Sequence, residues 1–440
     1  FDGFDLHQIS AHCGIPAKDI IRIAEEFSGA KRAICYGRMG ISAQAFGTLN
    51  HWLINILNII TGNLDRPGGM MFTQPAVDLS IKPSTAGSYN HYQSRVRGLP
   101  EFNQELPTSA MAEEMLVPGD GQVRAFVCIA GNPVLSAPNG RQLDQALAGL
   151  DYMVSLDFYL NETSRHADII LPPTGPLEHE QYDLVFNLLA VRNVAKFAEP
   201  LFKPDDHTRS DWDIMQGLIQ RIRHLKTGDS EAGKPPEATP EQVVDFGLQS
   251  GPYKLTLQEL KQHPHGLDLG PMRPRLPEHL YTEDKMINLI PELMKEDMAR
   301  LRHYYSEIKD SGSLTLIGRR DLRTNNSWMH NSQRLEKGKD RCTLLVHPND
   351  AEHHGVKDRG RAKLISRVGE VEVDIALTED IMPGIVSLPH GWGHDREGIA
   401  LRVAQSNPGV SANDVTDDQF VDTASGNAAL NGVAVRLVGI

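Results

Sequence analysis

Three short segments of this chain hold residues whose types and spacing could do chemistry. The first pairs Gly131-Asn132-Pro133 with Asp157, each placed directly after a run of apolar residues. In an open parallel sheet such runs are strands, and ligands bind outside their carboxyl ends. Gly131 would let a ligand approach the backbone, and the start of a following helix favours phosphate oxygens. Asp157 follows Gly131 by 26 positions, near the spacing at which dinucleotide folds place an acidic residue on a ribose. Its carboxylate could equally accept from the amino edge of guanine. A plainer role also suits these residues: a turn glycine and a helix-capping aspartate. The second segment, Gly318 to Asn331, is a dense set of polar donors suited to carbonyl and phosphate oxygens, or else an exposed basic loop. The third joins Pro389-His390-Gly391-Trp392-Gly393-His394 with Ala412-Asn413-Asp414, where His390 and His394 are metal ligands by type. Arg95 and Arg97 form a basic pair that could meet an anion or sit on a surface loop.

The elements that must position these residues follow from hydrophobic pattern. Val123 to Ile129, Tyr152 to Leu156 and Asp168 to Leu171 read as strands, with a helix near Arg141 to Leu150 and a short helical turn at Asn161 to His166. Apolar strands alternating with helices indicate an α/β fold with a doubly wound parallel sheet. Upstream, residues 1–31 read as helical, Ala33 to Tyr36 as a short strand, and Phe46 to Ile60 as an amphipathic helix stopped at Thr61-Gly62-Asn63. Residues 70–120 read as mostly irregular, Lys226 to Gln242 as a surface loop, and 251–310 as polar and partly helical. A boundary falls near Ser311. Beyond it, Ser313–Ile317, Cys342–Val346, Ala362–Ser366, Val371–Leu377 and Ile385–Leu388 predict a small β-barrel. The expected domains are therefore 1–310 and 311–440.

Composition removes several classes of function. The 440 residues carry a net charge of -13, which repels phosphate backbones and excludes a nucleic-acid partner. The longest apolar run, Trp52 to Ile60, is interrupted by Asn55 and Asn58 and predicts no transmembrane segment. Cys13, Cys35, Cys128 and Cys342 stand singly, without the spacing of a zinc or iron–sulfur site. Scattered cysteines fit a reducing, cytoplasmic compartment. Because the chain opens at Phe1, it reads as a fragment or processed form, which leaves an upstream export signal open.

Asn161-Glu162-Thr163-Ser164-Arg165-His166-Ala167-Asp168-Ile169-Ile170-Leu171-Pro172 resembles a signature of the molybdopterin oxidoreductase family, the dimethyl sulfoxide reductase superfamily. The matching positions are Thr163, Ala167, Asp168, Leu171 and Pro172. Tyr36 to Gly40, Thr61 to Gly69 and Ala130-Gly131-Asn132-Pro133 match in the family's order. Gly318 to Asn331 is similar to the opening of the family's dinucleotide-binding barrel, which Val346 to Ala351 continues. The resemblance implies a β-barrel that binds molybdopterin dinucleotide after the α/β region. It implies cofactor contacts at Gly131, Asn132, Pro133, Asp157, Thr163, Asp168, Arg320, Asn325, His390 and Asn413. It makes His390 and His394 pterin neighbours rather than metal ligands, with a solvated His394 the alternative.

The implied cofactor is bis(molybdopterin guanine dinucleotide) with molybdenum or tungsten, and no metal ligand is assigned within this chain. A 4Fe–4S cluster and the protein ligand to the metal belong, by the resemblance, upstream of Phe1. The catalytic residues are therefore unknown, and the chain alone is predicted not to turn over. The implied activity is two-electron redox chemistry on a small-molecule substrate, with formate oxidation the first candidate and an electron-transfer protein or subunit as partner. The alternative is a non-catalytic scaffold of the same fold, as in respiratory NADH dehydrogenase. Retention of Asp157, Thr163, Asp168, Arg320, Asn325 and Asn413 favours the enzyme, because a scaffold has no physical need of them.

Overall fold

The apolar run after Gln122 becomes a strand, β1 (Ala125–Ile129), and the run after Asp151 becomes β2 (Tyr152–Leu156). A computed structural model describes residues 3–79, 88–228, 238–307 and 312–440. In it β1 and β2 pair in parallel from Ala125↔Tyr152 to Ile129↔Leu156, and β3 (Ile169–Ile170) pairs in parallel with β2. Leu143, Ala146 and Leu147 of the helix Gly140–Ala148 pack with Val134, Cys128 and Met153 over one face. β2 is buried from Met153 to Leu156, as an apolar strand inside a parallel sheet should be. β1 differs: Val127 and Ile129 are 45% and 47% exposed, so one of its faces is bare. The short helical turn predicted at Asn161 to His166 is a 3-10 turn, Ser164–His166.

The second sheet is a closed barrel of six strands: β4 (Leu314–Arg319), β5 (Thr343–Val346), β6 (Arg361–Ile365), β7 (Glu370–Leu377), β8 (Ile385–Pro389) and β9 (Val433–Gly439). Their order round the barrel is β4-β8-β5-β7-β6-β9, and β9 returns to β4. Inward positions alternate along each strand, so Leu314, Leu316, Leu344, Val346, Leu364, Val373, Ile375, Val386, Val435 and Leu437 fill one core. Five of these strands were expected. β9 was not, although Val433, Val435 and Leu437 alternate with exposed neighbours.

Contacts divide the chain into two units, Phe1–Tyr36 with Asn55–Ala86 and Leu171–Leu289, and Gly37–Ile54 with Gly87–Ile170 and Ile290–Ile440. The first unit carries helices Leu6–Cys13, Ala17–Gly29, Asp211–Thr227, Pro240–Ser250 and Leu257–Lys261, with two two-stranded sheets. Its core gathers Ala76, Val77, Ala195, Phe197, Leu248, Leu257 and Leu260. The strand predicted at Ala33 to Tyr36 does not form. Instead the Asn58 side chain both accepts from Cys35 N and donates to Cys35 O, each at 2.9 Å, doing what a neighbouring strand would do. The surface loop expected over Lys226 to Gln242 lies partly outside the described residues, as does the boundary at Ser311, and its last residues begin the helix at Pro240. Likewise, the stretch 70–120 is less irregular than expected: Tyr89–Gln93 pairs with Pro100–Phe102, and Met111–Leu116 is helical. No helix among the described residues is long and apolar enough to cross a membrane.

Candidate functional site

The site lies in the second unit, where the loops after β1 and β2 meet the loop after β4. A solvent-connected cleft is lined there by Ala130, Gly131 and Asn132, by Asp157 and its neighbours Phe158, Tyr159 and Asn161, and by Ser327, Trp328 and Asn331. The carboxyl ends of adjacent parallel strands thus form one wall, where the strand directions predict a ligand. Phe158, Tyr159 and Trp328 are 46%, 45% and 54% exposed, an unusual display of aromatic faces around the cleft. Asp157 accepts from Tyr159 N at 3.1 Å and from Asn161 Nδ2 at 2.9 Å. Burial nevertheless pushes its carboxyl above the usual carboxylate range, beyond what those hydrogen bonds recover. A carboxylate so placed would be stabilised by a ligand bringing donors.

Behind this wall runs a buried polar network whose polarity can be read from one end. Val134 N can only donate, and it donates to Thr163 Oγ1 at 3.1 Å. The Thr163 hydroxyl then donates to Asn132 Oδ1 at 2.8 Å, and Asn132 Nδ2 donates to Glu162 Oε2 at 2.7 Å. Glu162 Oε1 accepts from His394 Nδ1 at 2.8 Å, and His394 Nε2 meets His330 Nδ1 at 2.7 Å. Thr163, Glu162 and His394 are fully buried and His330 is 2% exposed. Burial works against the Glu162 carboxylate, but His394 and Asn132 together hold it below the usual carboxylate range. Burial, and then the charge of His394, depress His330 to about 3.

The predicted site residues separate into groups. Gly131, Asn132 and Asp157 line the cleft. At Gly131 a Cβ would meet only ordinary contacts, and the left-handed backbone falls instead on Ala130, at φ 48°. Pro133 opens the short helix Pro133–Ser136, where its missing N–H costs nothing. Asn132 and Thr163 spend their side chains on the network just described. Asp168 stands at the other end of the sheet: it accepts from Met153 N at 2.7 Å, at the amino end of β2, and is exposed. Asn325 is exposed, with Asn326 beside it, both in the left-handed region at φ 42° and 63°. Gly391, at φ 102°, lies so close to Asn326 O that a Cβ would sit 2.3 Å from it, which ties the loop after β8 to the loop after β4.

His390 N donates to Arg319 O, and burial together with the charge of exposed Arg320 lowers its ring below the usual histidine value. Asn413 is buried and donates to Ala137 O at 2.7 Å. His394 is neither solvated nor able to ligate a metal, since both ring nitrogens are engaged. Among the described residues no three His, Cys, Asp or Glu side chains converge as metal ligands. Arg97 is consumed internally, bonding Glu113, Ser109 O and Asp418 O, while Arg95 donates to Val117 O. Burial pushes the thiol of Cys128 up to about 11, and that of Cys342 to about 12, so both are packing residues rather than nucleophiles. Sequence reasoning missed Glu162 and His330 as parts of the site, and the aromatic rim of Phe158, Tyr159 and Trp328.

Comparison with known proteins places these features. The model of the molybdopterin oxidoreductase family matches residues 12–221, and that of the molydopterin dinucleotide binding domain matches residues 314–434. The chain is 24% identical over 408 residues to F420-dependent formate dehydrogenase 1 subunit alpha of Methanococcus maripaludis, covering 89% of this chain and 58% of that protein. It is 23% identical over 458 residues to the assimilatory nitrate reductase catalytic subunit of Bacillus subtilis, covering 93% of this chain and 60% of that protein. Acetylene hydratase from Pelobacter acetylenicus superposes with a TM-score of 0.76 at 15% identity, over 99% of this chain and 65% of that one. The chain thus spans about three-fifths of the length of the curated relatives it matches.

Proposed function

We propose, from the premise that this chain belongs to the molybdopterin oxidoreductase family, that its cleft holds a guanosine end of bis(molybdopterin guanine dinucleotide). The observation that carries this is the pairing of Asp157 with an aromatic rim at the carboxyl ends of β1 and β2. Guanine presents two N–H donors on one edge and a flat face. Asp157 can accept from that edge, and since burial raises its carboxyl, further donors there would stabilise the carboxylate. Trp328, Phe158 and Tyr159 supply surfaces for the ring. The residues present therefore fit the nucleotide end. Arg320, Asn325, His390 and Asn413 are proposed to meet the pterin and phosphate parts, and Thr163 to act indirectly by holding Asn132.

When bound, the cofactor supplies two-electron redox chemistry at molybdenum or tungsten. This chain's residues bind and orient it: the strand-end loops fix one wall, and the barrel loops fix the other. For the whole protein we propose oxidation of a small substrate, formate first, with a 4Fe–4S cluster and an electron-transfer partner. Residues 1–310 and 311–440 are proposed as its functional segments. A scaffold without cofactor is the weaker reading, because it leaves the exposed aromatic rim and Asp157 unexplained. The relatives' names span dehydrogenase, reductase and hydratase, so the fold alone does not choose the reaction.

The test is metal and nucleotide analysis of the natural-length protein made in a cofactor-competent host. We expect molybdenum or tungsten with about two GMP per metal after acid hydrolysis. Protein free of both would sink the enzyme reading and leave the scaffold.

A further inference from the structure

One side-chain amide on the cleft wall has its orientation fixed from behind. Asn331 Oδ1 accepts from Val403 N at 3.0 Å and from Ala404 N at 3.4 Å, two N–H groups in the first turn of the helix Arg402–Gln405. A backbone N–H can only donate, so the amide oxygen must lie on that side and the nitrogen is left for the cleft that Asn331 lines. Among the described residues nothing accepts from Asn331 Nδ2, and the side chain is only partly buried. The other amides of the lining are already committed. Asn132 and Asn161 each give an Nδ2 hydrogen to a carboxylate, Glu162 and Asp157 respectively. Ser327 carries a hydroxyl that can turn either way, so it selects neither donors nor acceptors.

Asn331 and Asp157 are held on walls that are tied to each other. Ala400 N donates to Leu160 O at 2.8 Å, which joins the loop after β2 to the segment leading into the helix Arg402–Gln405. Val403 and Ala404 of that helix hold Asn331, and buried Leu401, between the two links, lines the cleft. Each oxygen of Asp157 already accepts one hydrogen bond, Oδ1 from Tyr159 N and Oδ2 from Asn161 Nδ2. A carboxylate oxygen has room for a second. The cleft therefore offers a ligand two acceptors on one carboxylate and a fixed donor on Asn331.

We propose that Asn331 is a specificity residue for guanine, its Nδ2 donating to O6 while Asp157 accepts from N1–H and the 2-amino group. This rests on the reading that the cleft holds a guanosine. The edge of guanine presents an acceptor at O6 and donors at N1 and N2, the complement of what these two side chains offer. Adenine would turn a 6-amino donor toward the Asn331 N–H and a bare N1 toward the Asp157 carboxylate. Hypoxanthine would lack the 2-amino group. Each mismatch leaves a polar group unpaired or sets like against like, and that penalty exceeds what a matched bond contributes. Trp328, three positions before Asn331, can stack on a base, but stacking accepts any base. Discrimination therefore falls on Asn331 together with Asp157.

The experiment measures binding of GDP and of 6-thio-GDP, in which sulfur replaces O6 alone, to natural-length protein prepared without cofactor. Sulfur is a weak acceptor, so the wild-type protein should prefer GDP by about tenfold. Asn331→Asp keeps an oxygen for Val403 N and Ala404 N but has no N–H for O6. It should bind GDP about tenfold more weakly or worse, and lose the preference. The same preference in both proteins would overturn the proposal, because a residue that only braces the helix would weaken both nucleotides alike. Should the variant not fold, or GDP bind too weakly to measure, a crystal structure of the loaded wild-type protein decides. Asn331 Nδ2 about 3 Å from O6 supports the assignment. An O6 met by water or by another side chain overturns it. A loaded protein without GMP, or with its nucleotide away from this cleft, would instead defeat the guanosine reading and this assignment with it.

Discussion

The barrel leaves none of its six strands with an open edge, whereas the three-stranded sheet has two edge strands and a bare face on β1 among the described residues. Each region brings loops to the cleft, but on different terms. The barrel closes its core of Leu and Val side chains beneath its loops, so those loops can be exposed and strained, with Asn325, Asn326 and Gly391 all at positive φ. The strand-end loops of the sheet have no such independence. Their shape depends on the chain from Val134 through Thr163, Asn132 and Glu162 to His394, which comes from the loop after β8. In the sheet, then, residues that shape the cleft also hold the fold. In the barrel the two duties fall on different residues.

Substitutions sharpen this contrast. Glu162→Ala leaves His394 and Asn132 buried without their acceptor, and should cost about 3–5 kcal/mol in urea unfolding. Leu364→Ala, at a fully buried barrel position, should cost about 3 kcal/mol through the cavity it leaves. If Glu162→Ala costs less than a surface change, the sheet does not depend on its network. Thr163→Val strands Val134 N and Asn132 Oδ1 and should cost about 1–3 kcal/mol.

Acid should act on the same network. His330 is held neutral in the fold, so the unfolded chain binds a proton more readily at that residue. Stability from this group is complete above about 6.5, the ordinary histidine value, and declines as pH falls toward about 3. Glu162 and Asp144, both held below the usual carboxylate range, add losses of the same sign at lower pH. Melting temperatures should therefore fall steadily below neutrality, and less steeply in His330→Gln. The smallest stability effect belongs to the barrel loops: Arg320→Ala, and Asn325→Asp, which tolerates the left-handed backbone, should stay within about 0.5 kcal/mol of wild type while lowering GMP content. A large loss of stability in either would blur the division between the regions.

Local pattern made much of this legible. The apolar runs ending at Ile129 and Leu156, the glycine and aspartate that follow them, and five of the six barrel strands were all visible in composition and alternation. What escaped was set by distance along the chain. Glu162 and His394 are 232 residues apart, and His330 and His394 are 64 apart, so no spacing rule links them. Asp168 shares its signature with Thr163, but strand direction carries it to the opposite end of β2. The Ala33 to Tyr36 run has strand-like residues without a neighbouring strand, and a single asparagine side chain takes the partner's place.

The most direct test is a crystal structure of the loaded natural-length protein. The account predicts a guanine whose N–H edge lies about 3 Å from the Asp157 carboxylate, with its ring against Trp328, Phe158 or Tyr159. A nucleotide bound elsewhere, with the Asp157 cleft filled only by solvent, would contradict it.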